Sequence, residues 1–142
     1  DISLVIKVNI EAPILLAKYL MRPMLINQRG RIVNISSIIG STGFKGLAVY
    51  GATKAALNGF TKSLSREVGK AGITVNSVAP GYMATDMTQG LELEKLESIK
   101  RRSPMGELVQ LEDVASMVDY LLSAEASRIT GTVFTVDAGS TA

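Results

Sequence analysis

The chain has 142 residues, of which 46% are apolar, so it is long enough and apolar enough for one domain with a packed core. The formal net charge of +2 gives no strong attraction toward nucleic acid. There is no cysteine and no histidine, which excludes disulfides, a cysteine nucleophile, a histidine-bearing zinc site and a Ser-His-Asp hydrolase. No apolar run is long enough to span a membrane and there is no secretory signal pattern, so we expect a soluble cytoplasmic protein. We also expect no bound metal.

The first half of the chain alternates between helical and strand patterns. Residues 3–27 predict a long, mostly buried helix in which Pro13 comes early and Pro23 ends or kinks the helix. A short strand rich in branched residues is predicted at 31–36. After a glycine-rich loop, a second long helix is predicted from about residue 50 to residue 69.

The second half continues the alternation. Gly72 is a C-cap signal beyond the second helix, and a strand at 73–81 runs into a Pro-Gly break. Residues 86–103 are predicted to be a mobile loop with short helices. An amphipathic helix at 110–126, with Asp113 in its first turn, precedes a last strand at 131–139.

The predicted order of helix and strand, repeated three times, is typical of an α/β protein with a parallel sheet and helical crossovers. Three strands make a thin sheet with one bare edge. The chain also begins with Asp1, inside a predicted helix. We therefore expect the later part of a longer protein, with strands missing on the N-terminal side.

A serine, a tyrosine and a lysine are the candidate catalytic residues. Tyr50 and Lys54 are four residues apart on the second predicted helix, so they share one face. A tyrosine hydroxyl has an ordinary pKa of about 10 and is a better acid at neutral pH when an ammonium stabilises the tyrosinate. Ser37 follows the first predicted strand, at the edge where open α/β sheets bind ligands. These residues suit carbonyl reduction or its reverse, with hydride from a cofactor.

A Tyr-x-x-x-Lys pair alone is usually a solvated helix face, but further motifs accompany it here. The chain resembles the short-chain dehydrogenase/reductase family, closest to its 3-oxoacyl-[acyl-carrier-protein] reductase branch. The matching features are Ser37 thirteen residues before Tyr50, "YGATKAAL" at 50–57, "GITVNSVAPGYMATDM" at 72–87, "ITGTVFTVDAG" at 129–139, and Asn9. The resemblance covers essentially the whole chain. It implies the C-terminal catalytic part of a doubly wound, Rossmann-like parallel sheet.

The resemblance also implies individual roles. Tyr50 would be the general acid in reduction, and Ser37 would position the substrate carbonyl. Lys54 would hold the nicotinamide ribose, and Asn9 would support a water that relays protons to Lys54. The cofactor would be NADP or NAD, with NADP favoured. Its nicotinamide end would be bound by Tyr50, Lys54, Pro80, Gly81, Met83 and Thr85.

Two segments near these residues are relevant to the substrate. The glycines of "GSTGFKG" (40–46) do not have the G-x-G-x-x-G spacing, and the helix that follows carries Tyr50. We therefore expect this loop beside the substrate. Residues 86–104 correspond to a lid in the family, and its apolar residues would suit an acyl chain, although packing of a short helix explains them equally well. Apolar residues of this region include Met87, Leu91, Leu93 and Leu96, and Met105 directly follows it.

A complete member of the family has an N-terminal dinucleotide-binding half of roughly 100 residues, with a glycine-rich turn for the pyrophosphate. This half does not occur in the sequence, so the 142 residues alone should bind the cofactor weakly or not at all.

We expect an NAD(P)-dependent oxidoreductase that interconverts a ketone and a secondary alcohol, with a 3-oxoacyl thioester of fatty acid biosynthesis as the leading substrate. A sugar, a steroid or another small alcohol is the first alternative. An inactive, truncated partner subunit is the second. The family resemblance implies a homotetramer. A companion N-terminal segment is a further expected partner. We expect no binding to nucleic acid or to membranes.

Overall fold

The computed structural model describes residues 1–83 and 93–142, with the backbone only for 93–95. The helices are α1 (Ile2–Ile6), α2 (Ala12–Asn27), α3 (Ile39–Thr42), α4 (Ala48–Val68), α5 (Leu93–Arg102) and α6 (Leu111–Leu122). A π-helical segment, Lys7–Glu11, joins α1 to α2. The strands are β1 (Gly30–Ile35), β2 (Ile73–Pro80) and β3 (Val133–Val136).

The described strands form one parallel sheet in the order β1-β2-β3. Gly30 is opposite Ile73 at one end of the first pairing, and Pro80 is opposite Val136 at the far end of the second. Every residue of the central strand β2 is buried, as expected for a parallel strand covered on both faces. The predicted α/β fold with helical crossovers is confirmed.

Helices cover both faces of this sheet. Successive side chains of β2 point to opposite faces, so residues on the two faces contact different helices. Val75 faces α2 and α4, and it packs with Val68 of α4 and with Ile73 of the same strand. Val78 faces α6, where it packs with Leu121. Burying each of these side chains contributes about 1.5–3 kcal/mol relative to exposure, so the two clusters fix α4 and α6 on opposite faces of the sheet.

The first predicted helix differs from its sequence-based description. It is interrupted by the π-helical segment, and Pro13 lies in the first turn of α2, where a proline is tolerated. Of the two effects predicted for Pro23, the end does not occur: α2 continues to Asn27, the last residue of the predicted range, with Pro23 inside the helix. Met24, in the last turn, packs against the Val68–Val75 cluster, and this contact favours continuation of the helix past the proline.

The prediction that this first helix is mostly buried is also wrong. In α1 and α2 only Ala17 is fully buried, whereas Ile2, Leu4 and Leu16 are each about 60% exposed. One stripe of α2, which includes Met21, faces the sheet, and most of the remaining apolar side chains face outward. No helix in the described part of the chain has both the length and the apolar character needed to cross a membrane.

The later elements begin within two residues of their predicted starts, but α6 ends at Leu122 rather than at 126, and the last strand is Val133–Val136 rather than 131–139. The second long helix, α4, is followed by a short 3₁₀ turn, and Gly72 then adopts the left-handed conformation expected of a C-cap (φ 72°). In α6, the Gln110 backbone N–H donates to the Asp113 carboxylate at 2.9 Å, which forms half of a capping box. The helix α5 occupies part of the predicted loop, and the short helix α3 was not predicted.

A strained residue follows β3. Ala138 has a φ of 54°, in the left-handed region that costs a residue with a Cβ about 1–2 kcal/mol. The Ser103 hydroxyl donates to the Ala138 carbonyl at 2.6 Å, and this bond helps to hold the conformation. The strain is therefore local, and it is removable by substitution.

We expect Ala138→Gly to raise the free energy of unfolding by about 0.5–1 kcal/mol. Glycine relieves the strain in the folded state, and this gain exceeds the loss caused by the greater conformational freedom of glycine in the unfolded chain. The melting temperature should rise by about 2–4 °C. Thermal and denaturant unfolding of both forms would measure this. Ala124→Gly, at a position with negative φ, is the matched control and should not stabilise. An unchanged or lower melting temperature for Ala138→Gly would contradict the assignment of strain.

Candidate active site

The carboxyl ends of the three parallel strands meet at one edge of the sheet, where open α/β sheets bind ligands. Ser37 lies just beyond β1, and Gly81 lies just beyond β2. The Ile38 backbone N–H donates to the Pro80 carbonyl at 3.1 Å. This hydrogen bond holds the segment with Ser37 against the end of β2, so the structure brings Ser37 and the Pro-Gly pair together.

The helix α4 places the tyrosine and the lysine at the same edge. Tyr50 lies in its first turn and Lys54 one turn later, and both side chains are half-buried. The Lys54 ammonium is 5.6 Å from the centroid of the Tyr50 ring, within the range of a cation–π contact. The predicted sharing of one helix face is confirmed.

Two hydrogen bonds tie α4 to the end of β1. The Lys54 ammonium donates to the Ile35 carbonyl at 2.9 Å, and the Ser36 hydroxyl donates to the Lys54 carbonyl at 3.2 Å. Burial lowers the pKa of Lys54 from its ordinary value, because the ammonium loses solvation. An ammonium has three N–H donors and, among the described residues, Ile35 accepts from one, so two are left for the oxygens of a ligand.

The hydroxyl of Ser37 is nearly buried, and its oxygen accepts from the Ile39 backbone N–H at 3.2 Å. The hydroxyl hydrogen can still donate to a carbonyl oxygen. The short helix that follows lies directly on α4: a Cβ on Gly40 would come within 2.9 Å of the backbone at Lys54 and Ala55. Glycine at position 40 thus allows the Ser37 segment to approach the turn that carries Lys54.

Asn9 reaches the same helix from the π-helical segment. Its amide Nδ2 donates to the Thr53 hydroxyl at 3.0 Å, and that hydroxyl donates to the Tyr50 carbonyl at 2.7 Å. Thr53 is 1% exposed. Thr53 was not among the predicted site residues, because a threonine inside a helix is expected to bond back to its own helix. Only the tertiary contact shows the bridge between Asn9 and the turn that holds Tyr50.

Two of the residues expected at the nicotinamide end of a cofactor, Pro80 and Gly81, lie beside the end of β3. The Gly81 backbone N–H donates to the Val136 carbonyl at 2.8 Å, and a Cβ on Gly81 would come within 2.7 Å of the Asp137 side chain. Met83 pairs with Val109 in an isolated parallel bridge. Pro80 and Gly81 are thus held by the neighbouring backbone close to the Ser37 segment, and Met83 is held against Val109.

Part of the expected site lies outside the described residues, namely Thr85 and, from the expected lid, Met87 and Leu91; the side chain of Leu93 is not described either. Farther along the expected lid, Leu96 is partly buried on α5, whereas Met105, directly after the lid, is 67% exposed.

The chain is thus an open α/β protein with a serine, a tyrosine and a lysine at the carboxyl edge of its sheet. Residues 1–141 match the family model described as enoyl-(acyl carrier protein) reductase. The chain belongs to the short-chain dehydrogenase/reductase family.

The chain is also similar to individual curated proteins along almost all of its length. The chain is 46% identical over 139 residues to a 3-oxoacyl-[acyl-carrier-protein] reductase of Rickettsia felis, covering 98% of this chain and 58% of the relative. Identity to the reductase of the same name from Salmonella typhimurium is 44% over 135 residues, with 95% and 55% coverage. The chain therefore spans little more than half the length of these curated relatives.

Two solved structures share the fold. A 3-oxoacyl-[acyl-carrier protein] reductase from Brucella melitensis superposes with a TM-score of 0.89 at 37% identity, covering 92% of this chain and 49% of that chain. A gluconate 5-dehydrogenase from Burkholderia cenocepacia, solved in complex with NADP and tartrate, gives a TM-score of 0.96 at 28% identity, with 99% and 56% coverage. The arrangement of the three strands and their helices is thus that of the corresponding part of both structures.

Proposed function

We propose that the chain is the catalytic part of an NAD(P)-dependent oxidoreductase that interconverts a ketone and a secondary alcohol, with a 3-oxoacyl thioester as its substrate. The observation that carries this proposal is the Lys54 ammonium, 5.6 Å from the Tyr50 ring, at the sheet edge that also presents Ser37. Relatives at 44–46% identity are named 3-oxoacyl-[acyl-carrier-protein] reductases, which supports the choice of substrate.

The residues at this edge fit a nicotinamide nucleotide. Lys54 keeps two N–H donors after its bond to Ile35, and donors of this kind suit the vicinal hydroxyls of a ribose. Pro80, Gly81 and Met83 would hold the carboxamide end. A bound nicotinamide supplies a hydride to the ketone carbon, or accepts it in the reverse direction. The gluconate 5-dehydrogenase solved with NADP supports NADP as the cofactor.

The proposed roles of the side chains follow from their contacts. The Ser37 hydroxyl donates to the ketone oxygen and orients it. As the carbon gains a hydride, the Tyr50 hydroxyl gives its proton to the oxygen, so the product is a neutral alcohol. The Lys54 ammonium stabilises the tyrosinate that remains and, because burial lowers its pKa, returns a proton more readily than an exposed lysine would. Asn9 holds the turn of Tyr50 in place through Thr53.

We also propose that these residues form the C-terminal part of one larger nucleotide-binding domain. Within the described residues, β1 pairs with β2 along one edge only. Beside β1 lies a groove of about 700 Å³, lined mainly by apolar side chains of α2 and β1, including Leu16, Leu20 and Ile32. A further parallel strand placed there would pair with β1 and cover the groove. The relatives, whose length this chain covers by 58% or less, support such an N-terminal half.

The assembly of the complete protein is likewise a proposal. The outward-facing apolar side chains of α1 and α2 outside this groove, such as Leu4 at 59% and Ile26 at 71% exposed, need a cover in water. A homotetramer in which these helices meet would supply part of it.

The test uses the complete protein and follows loss of NADPH or NADH absorbance with two substrates, a 3-oxoacyl thioester and the polyhydroxylated ketone 5-ketogluconate. We expect turnover of the thioester with a kcat/KM at least about tenfold above that of 5-ketogluconate. The opposite preference would support a gluconate dehydrogenase, the alternative favoured by the TM-score of 0.96. A folded protein that oxidises neither cofactor with any ketone would contradict the enzymatic function and leave the inactive partner subunit.

A further inference from the structure

The loop before α4 presents two large apolar side chains, Phe44 and Leu47, at the sheet edge. Phe44 packs edge-to-face on Tyr82, with ring centroids 5.9 Å apart and an interplanar angle of 64°. Tyr82 directly follows the Pro-Gly pair at the end of β2. Phe44 therefore lies at the carboxyl end of β2, the same edge that holds Ser37 and the proposed cofactor residues.

The backbone of the loop ties the second apolar residue, Leu47, to α4. Gly43 and Gly46 have φ values of 68° and 86°, which a residue with a Cβ rarely adopts, and they give the loop its turns. The Leu47 backbone N–H donates to the Phe44 carbonyl at 3.0 Å, and the Gly51 N–H donates to the Leu47 carbonyl at 2.7 Å. Leu47 is thus fixed next to the first turn of α4, which carries Tyr50.

Phe44 and Leu47 are each 37% exposed, so each presents apolar surface that the described chain does not cover. Neither side chain can donate or accept a hydrogen bond. The hydroxyl of Tyr82 is buried without a hydrogen-bond partner among the described residues, so the aromatic pair also offers few polar contacts. We call Phe44, Leu47 and Tyr82 the apolar wall.

We propose that Phe44 and Leu47 are specificity-determining residues that bind the alkyl chain of the substrate. The inference depends on the proposed function, because it requires a ketone held at Ser37 and Tyr50. A hydroxylated chain placed against the apolar wall would lose its hydrogen bonds to water without replacement, whereas an alkyl chain would lose none. In an enclosed hydrophobic pocket, each buried methylene of a substrate changes kcat/KM by about tenfold or more.

The experiment compares kcat/KM for two thioesters, 3-oxooctanoyl and acetoacetyl, which differ only in the length of the alkyl chain. The unsubstituted complete protein should prefer 3-oxooctanoyl by at least about tenfold. Phe44→Asn and Leu47→Gln should each lower that preference by about tenfold, while Phe44→Leu and Leu47→Met, which stay apolar, should retain it within about threefold. Leu111→Gln, at a 55% exposed position at the start of α6, is the control for the polar change and should leave the ratio unaltered.

Melting temperatures of all variants separate a loss of folding from a change of specificity. If Phe44→Asn does not fold because its contact with Tyr82 is lost, Leu47→Gln still provides the test. A chain-length preference that stays unchanged in a folded, active polar variant overturns the inference and leaves the proposed function standing. Equal rates with both thioesters in the unsubstituted protein also overturn the inference alone. No turnover of either thioester overturns the proposed function and the inference with it.

Discussion

Tyr50→Phe should abolish ketone reduction, lowering kcat by about 10²–10⁴-fold or more, since general acid catalysis contributes that much. Phenylalanine keeps the ring that lies 5.6 Å from the Lys54 ammonium and removes only the hydroxyl that would give its proton to the alcohol oxygen. The fold and the affinity for the cofactor should therefore be preserved. Steady-state kinetics, cofactor titration and thermal unfolding of the complete protein would measure the three quantities.

The matched control is Tyr120→Phe, which makes the same change on α6, where the side chain is 46% exposed. Its kcat should equal that of the unsubstituted protein. Substantial turnover by a folded Tyr50→Phe variant would show that another group protonates the substrate, and the assignment of Tyr50 as the acid would have to be abandoned.

Lys54→Met should have the second largest effect. Methionine has a similar length but no charge and no N–H donors, so the variant should bind the cofactor more weakly and lower kcat/KM by about 10²–10³-fold. In the unsubstituted protein the rate should fall as the pH rises through the pKa of Lys54, which burial has lowered, because the ammonium is then lost. The residual activity of Lys54→Met should lack this alkaline decline. A pH–rate profile and a cofactor titration would measure both effects.

The control for this change is Lys62→Met, an exposed lysine two turns farther along α4, which should alter neither the pH profile nor the affinity for the cofactor. Melting temperatures would show whether the lost bond to the Ile35 carbonyl destabilises the protein. An unchanged cofactor affinity and an unchanged pH profile in Lys54→Met would contradict both roles given to this lysine.

The order of strands and helices could be predicted because each element carries its own local signal. The apolar runs at 31–36 and 73–81 correspond to β1 and β2, and Gly72 ends the α4 region in the left-handed conformation that a glycine C-cap favours. Tyr50 and Lys54 could be placed on one helix face by spacing alone, and their contact confirms it. These are local properties, which a sequence shows directly.

The features that the sequence did not reveal depend on contacts between distant residues. The extension of α2 past Pro23 depends on Met24 packing against residues more than forty positions away, and local propensity opposes it. The bridge from Asn9 through Thr53 depends on a π-helical segment whose sequence has no distinct pattern. The packing of Phe44 on Tyr82 requires the loop and the end of β2 to meet.

The parallel order of the strands has a consequence for folding kinetics. Ser37, Gly81 and Asp137 follow three different strands, and long helical crossovers separate each strand from the next. Parallel pairing over such distances closes large loops before it gains contacts, so it is slow compared with helix formation. Helical structure can therefore return early during refolding, while the edge that holds these residues exists only after β2 has paired on both sides. In this protein, recovery of the site is a measure of completed sheet assembly rather than of helix content.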